Sequence, residues 1–243
     1  MNVNKLVLTI DDLVERDKLY YKKFTEIPFT GKINGKIMGS FKNGKKDGSW
    51  FEYHDNGELS FKGIFKNGKE NGSLEFYSEN GQLNYKVNYK DGIQEGFWNK
   101  YNENEELLSK GKYNNGIKEG FWINYHENGQ LLRKGKYKNG KKEGAWVNYW
   151  ENGKIDYKDH YKNDKREGSS FGYMDNGDLL LKGNYKNDKR EGSWIEYHKN
   201  GQLMKKGKYN NGKEEGLWIV YDWGGNIDSK YTGTFKNGNK ISE

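Results

Sequence analysis

Residues 118–140 read KEGFWINYHENGQLLRKGKYKNG, and residues 142–164 read KEGAWVNYWENGKIDYKDHYKND. The second stretch repeats the first after 24 residues. Counting in steps of 24 from Gly39, repeats begin at 39, 63, 87, 111, 135, 159, 183 and 207. Position 3 of each is aromatic, from Phe41 and Phe65 through Tyr89 to Tyr209. Position 10 is Gly in all eight, and position 12 is Trp in six: Trp50, Trp98, Trp122, Trp146, Trp194 and Trp218. Leu74 and Ser170 take its place in the other two. Position 15 is Tyr throughout: Tyr53, Tyr77, Tyr101, Tyr125, Tyr149, Tyr173, Tyr197 and Tyr221. Position 21 is Leu or Ile, and position 24 is Lys throughout, including Lys86, Lys110, Lys134, Lys158 and Lys182. Such self-similarity at a fixed period is the signature of a repeat architecture.

One repeat encodes two turns and two strands. Asn-Gly at positions 18 and 19, between aromatic alternating segments, predicts a two-residue type I′ hairpin turn. Asn-Gly or Asn-Asp at positions 5 and 6, as in Asn139-Gly140, predicts a second turn. Helix is disfavoured because Gly and Asn are frequent and no 3.6-residue stripe appears. The expected fold is all-β: a single elongated, twisted antiparallel meander of about 17 or 18 strands built from tandem hairpins. At ~4.8 Å per strand the ribbon would extend roughly 80–90 Å.

A two-residue turn at 18–19 places Trp at 12 opposite position 1 of the next repeat, which is Gly in six of eight. Directly opposed residues share a face. The indole is therefore expected over a cross-strand Gly, with Gly at 10 making room for the aromatic at 3 and Leu at 21 joining the same face. Tyr at 15 and Lys at 24 are expected on the other face. The Trp residues are the predicted structural core, and the Tyr and Lys columns the candidate interaction surface.

The recurring letters Y-K-N-G-K-x-E-G-x-W-x-x-Y-x-x-N-G-x-L-x-x-K-G resemble the MORN repeat in its bacterial variant form. The resemblance covers residues 39–232, and residues 13–31 resemble the usual opening of such proteins. The resemblance implies a non-enzymatic, single-sheet module without catalytic motif or cofactor. It implies a scaffold for a protein partner, with an antitoxin-like immunity role against a toxin among the family's described uses. It also implies, as the alternative, peripheral binding to anionic phospholipid membranes, here through the lysine columns. The fixed Lys at 24 is absent from the classical repeat. Residues 1–38 read as a leader and capping hairpin, residues 39–232 as eight repeats, and residues 233–243 as a terminal half-repeat cap. Pro28 removes a donor near an expected edge strand, Thr9–Asp12 could cap a short helix over Leu13, and the last full repeat carries two extra residues near Trp223-Gly224-Gly225.

Composition limits the chemistry. Of the 243 residues only 32% are hydrophobic, half of them aromatic, so the core must be thin and aromatic. The absence of Cys removes disulfides, thiolate metal sites and Cys nucleophiles. No apolar run approaches the ~18 residues of a membrane span, and Lys5–Ile10 is short for a signal-peptide core, which points to a cytoplasmic location. The net charge of +7 is compatible with anionic partners. His54, His126 and His198 all fall at position 16, but three repeats separate neighbours by roughly 29 Å of sheet, too far for shared metal ligation. The recurrent carboxylates at position 9, Asp47, Glu95, Glu119, Glu143, Glu167, Glu191 and Glu215, read as solvated turn charges. No phosphate-binding GxxxxGK[ST] occurs. Nucleic acid is disfavoured because the lysines at 24 are balanced by these carboxylates. A cell-wall choline or glycan ligand would require export.

Overall fold

The computed structural model describes residues 7–242. Nothing is described for the first six residues of the leader, which include part of the Lys5–Ile10 segment. The described chain is all-β apart from one 3-10 turn, Ile10–Asp12. It forms two compact units, residues 1–117 and 118–243. Within each unit hairpin follows hairpin in an open antiparallel meander.

The repeat beginning at Gly135 shows how the local sequence sets the chain path. Strands Leu131–Lys138 and Lys141–Tyr149 are joined by Asn139 and Gly140, with φ of 51° and 77°. Both central residues are left-handed, as a type I′ turn requires. The following turn departs from expectation. Trp150 N–H donates to the Lys154 carbonyl at 2.8 Å and Gly153 N–H to the Trp150 carbonyl at 2.9 Å, with only Gly153 left-handed at φ 80°. The connection is a type I turn closed by a Gly bulge, not a type I′ pair at Asn152-Gly153. The Asn152 side chain explains why: its Oδ1 accepts the Lys154 amide at 3.0 Å, holding Asn152 in a right-handed Asx turn.

The bulge absorbs one residue, so the register beyond it is the expected one. Trp50 opposes Gly63, Trp98 opposes Gly111, Trp122 opposes Gly135 and Trp194 opposes Gly207. Next to the turn the shift pairs Tyr125 with Leu131 and Tyr197 with Leu203. Leu at 21 therefore meets the Tyr column across the hairpin, rather than the Trp row.

The Trp face is the core, but the glycine under each indole belongs to the same repeat. A Cβ added to Gly39, Gly135, Gly183 or Gly207 would fall 2.5, 2.1, 2.2 or 2.2 Å from the ring of Trp50, Trp146, Trp194 or Trp218. Those four Trp are at most 3% exposed. Trp98 is only half-buried, because the corresponding position is Val87, whose side chain occupies the seat. Position 12 and the opposed position 1 change together at the Leu74–Val87 pair, where two aliphatic residues fill the space of an indole over a bare backbone. Rings at 12 and 3 meet edge to face, as in Tyr185–Trp194 at 5.1 Å and Trp194–Tyr209 at 6.0 Å, a favoured arrangement of aromatic quadrupoles. Each buried indole N–H of Trp50, Trp146, Trp194 and Trp218 donates to the position-2 carbonyl of its own repeat at 3.1–3.2 Å. The Gly at 10 has a different purpose from the one expected. Gly144 has φ 72° and no atom within 4 Å of an added Cβ, so its backbone turn, not ring clearance, requires Gly.

Short strands flank the repeats on both sides. The hairpin Leu13–Arg16 and Leu19–Lys22 lies beside the first repeat, with Tyr20 and Phe29 rings 4.8 and 5.7 Å from Phe41. Asp12 accepts the Thr9 amide at 2.8 Å, closing the short helical turn expected over Leu13. The half-repeat after residue 232 forms two short strands, Gly233–Lys236 and Asn239–Ser242, where one was expected. The two extra residues of the last full repeat are not in its Gly-rich turn. Asp222–Asn226 closes like the other turns, and Trp218 then pairs with Gly233. The extra length lies in residues 228–232, where Thr232 Oγ1 accepts the Val220 amide at 2.9 Å. Lys230 consequently leaves the lysine column.

Candidate functional site: the tyrosine and lysine face

The face opposite the Trp row carries Tyr at 15 and Lys at 24, as the parity predicts. All eight tyrosines are half-buried. Lys62 and Lys134 lie with Nζ 5.5 Å from the ring centres of Tyr77 and Tyr149, one repeat ahead. At these two places the columns touch, the ammonium resting over the neighbouring phenol ring. Lys86, Lys158 and Lys182 are half-buried and Lys134 is exposed; Lys110 is half-buried.

Position 13, which the sequence reading left out, completes this face. Because opposed residues share a face, it forms one continuous row with Lys at 24. In the C-terminal unit the register runs Ile123–Lys134–Val147–Lys158–Phe171–Lys182–Ile195–Lys206–Ile219 without interruption. In the N-terminal unit it runs Phe51–Lys62–Glu75–Lys86–Asn99–Lys110. The signal was present: position 13 has the same parity as Tyr at 15 and is aliphatic or aromatic in six repeats.

The two rows differ electrostatically. Glu75 accepts from Lys62 at 2.6 Å, Lys86 at 2.8 Å and Tyr77 Oη at 2.6 Å. Burial pushes its carboxyl up, but those three donors outweigh it and hold the pKa at about 2. Among the described residues no carboxylate lies within ion-pair distance of Lys134, Lys158, Lys182 or Lys206. The adjacent exposed apolar groups include Phe121, 71% exposed, and Leu217, 61% exposed. A shallow groove of about 510 Å³ lies at the far end of the row, lined by Ser193, Ile195, Lys206, Lys208, Leu217 and Ile219.

A second basic column, also missed, lies on the Trp face at position 8. Lys46, Lys118 and Lys142 stand 4.2, 4.1 and 4.8 Å from the ring centres of Trp50, Trp122 and Trp146. Arg190 stands 4.5 Å from Trp194. Burial pushes the Lys118 and Lys142 ammonium groups below their ordinary pKa, with Arg133 adding repulsion. These cations roof the core instead of facing a ligand.

The remaining candidates tie repeats together. His54, His126 and His198 contact the carbonyls of Tyr77, Tyr149 and Tyr221 at 2.9–3.0 Å. Trp150, at the same position, donates to the Tyr173 carbonyl at 3.2 Å. No group of three His, Asp or Glu suited to a metal ion occurs among the described residues. The carboxylates at 9 are more than solvated charges: Glu95, Glu119, Glu143, Glu167, Glu191 and Glu215 each accept the backbone amide of the Asn that opens the next type I′ turn, at 2.8–3.1 Å. Asn at 18 adds a third tie, as from Asn128 Nδ2 to the Glu151 carbonyl at 2.9 Å.

Comparison with known proteins places this geometry. The sequence profile of the MORN repeat variant matches residues 46–67, 70–91, 118–139, 142–163 and 190–211, all on the 24-residue grid. These five segments are MORN-variant repeats. The grid segments that the profile passes over include the one with Asn104-Glu105 for Asn-Gly and the one with Ser170 for Trp. Curated proteins include none that matches the chain. Among solved structures, choline binding protein F from Streptococcus pneumoniae is similar at 14% identity over 95% of this chain and 98% of that one, with a TM-score of 0.19. At that score the likeness carries no argument about this chain's ligand.

Proposed function

We propose that this MORN-variant chain is a non-enzymatic scaffold that binds a protein partner through its tyrosine and lysine face. One observation carries the reading. The Trp face is used up by the core, whereas the opposite face presents half-buried tyrosines, a lysine row and exposed apolar side chains on a stack of cross-tied hairpins. Tyr is among the usual anchors of protein interfaces. The family's use as immunity proteins makes a toxin one partner class for such a basic face. Supporting the alternative, anionic phospholipid, are the same lysines, but no long amphipathic helix is present among the described residues to insert into a bilayer.

Affinity capture from source lysate at moderate and high salt, read by mass spectrometry, tests the reading. One stoichiometric protein retained at high salt is the expected result. Recovery of lipid alone, lost as salt rises, would transfer the function to the membrane alternative.

A further inference from the structure

The C-terminal unit's row alternates a cation with an apolar side chain at every strand from Ile123 to Ile219. Strands are ~4.8 Å apart, so successive lysines are ~9.6 Å apart with an apolar residue midway. An α-helix laid across the strands advances ~5.4 Å per turn and ~10.5 Å per seven residues. Carboxylates at seven-residue spacing would therefore meet successive lysines, and apolar residues half-way between them would meet Val147, Phe171 and Ile195. An extended strand presents same-face residues every ~6.7 Å and matches neither period. A nucleic acid duplex would present its phosphate backbone, not apolar groups, to the intervening Ile and Val, and a lipid headgroup layer has no reason to match a one-strand alternation.

Charge decides which unit is used. Glu75 neutralises Lys62 and Lys86 within the N-terminal unit, whereas the four lysines Lys134, Lys158, Lys182 and Lys206 have no carboxylate partner among the described residues. Lys136 and Lys208, on the neighbouring row, stand opposite Glu143 and Glu215 in the register and contribute less. The half-buried Asp156, whose carboxyl burial pushes up, is an acidic group near the row.

We propose that this row docks an acidic amphipathic α-helix of a protein partner, about 20 residues long to span Lys134 to Lys206. The proposal rests on the protein-binding reading above and adds the occupant, its charge and its secondary structure.

The test uses the full chain and three labelled synthetic peptides of about 21 residues, read by fluorescence anisotropy at low and moderate salt. The first carries Glu every seventh residue with Leu half-way between. The second has Lys for each Glu. The third is a scramble of the first with no heptad. The expected result is saturable binding of the first, about tenfold or more tighter than the scramble, with the lysine peptide unbound. Lys158→Glu with Lys182→Glu should weaken it at least about tenfold, while Lys199→Glu, at an exposed turn, should not. An unchanged near-ultraviolet circular dichroism signal from the Trp row shows that the variant is folded. Equal binding of heptad and scramble, no binding, or indifference to the double variant would overturn the proposal. Sedimentation with phosphatidylglycerol vesicles that the heptad peptide fails to compete would overturn it in favour of lipid. If a stoichiometric lysate protein stays bound to the double variant, the helix proposal falls and the scaffold reading stands. If no protein is captured and no peptide binds, both fall.

Discussion

Trp146 lies over Gly135 of its own repeat, so that a Cβ on Gly135 would come 2.1 Å from the indole Cδ2. Gly135→Ala must displace the ring, with an expected cost of about 2–3 kcal/mol. Gly144→Ala faces open space at φ 72° and should cost about 1–2 kcal/mol from backbone strain alone. Denaturant titration gives both values. Near-ultraviolet circular dichroism separates the causes: it should change for Gly135→Ala and stay constant for Gly144→Ala. An unchanged signal in both would contradict the seat of the ring.

The repeat beginning at Asp159 lacks both members of this pair. Ser170 Oγ donates to Asp159 Oδ1 at 2.5 Å, and both residues are buried. Asp159→Gly strands the hydroxyl, and Ser170→Trp drives an indole against a carboxylate. Each single change should destabilise, while the double variant should recover part of the loss. A double-mutant cycle in urea should give a favourable coupling of about 1–3 kcal/mol. Strict additivity would show that the two positions do not share one site.

Glu75 links stability to pH. Its folded pKa, about 2, lies below the ordinary 4.5. The carboxylate therefore adds stability above pH ~4.5, and this is lost as pH falls from ~4.5 towards ~2. Because Lys62 and Lys86 are partly solvated, a contribution of about 1–2 kcal/mol is expected. Glu75→Gln should lower the urea midpoint at pH 7 and reduce the drop between pH 5 and 2.5. A parallel acid limb in the variant would contradict the three-donor arrangement.

The clasp at position 9 predicts a difference between two changes at Glu119. Glu119→Ala removes the acceptor for the Asn139 amide and should cost about 1 kcal/mol. Glu119→Gln keeps an acceptor oxygen and should retain most of it. Equal small effects in both, abolished by salt, would return this residue to the solvated-charge reading.

Glu105 sits left-handed at φ 60°, where the seven other repeats have Gly. Glu105→Gly should raise stability by about 0.5–1 kcal/mol, net of losing the carboxylate contact to the Leu83 amide. A thermal melt that moves down would contradict this.

Much of the fold was legible because its determinants are local. Asn139-Gly140 can form its turn whatever surrounds it, and the alternation through Ala145-Trp146-Val147 assigns faces by parity alone. The ladder pairing Trp194 with Gly207 follows from those two facts. Parity also put Tyr149 and Lys134 on one face before any contact was known. The turn at Trp150–Lys154 was misread because Asn152 has a competing side-chain bond to its own backbone, which the dipeptide Asn-Gly does not reveal. His126 and Glu119 read as free surface groups because their partners, a carbonyl and an amide, are backbone atoms 20 or more residues away.

By itself, the sequence determined the 24-residue period, the antiparallel hairpins, the register of Trp against position 1 and the two-faced sheet, since turn propensity and strand alternation act over a few neighbouring residues. Only the tertiary structure decided which glycine each indole covers, because side-chain tilt along a sheet depends on the packing of both flanking strands. It alone separated the lysines neutralised at Glu75 from Lys134, Lys158, Lys182 and Lys206, which have no carboxylate partner among the described residues, because ion pairing depends on distances between repeats that composition averages away.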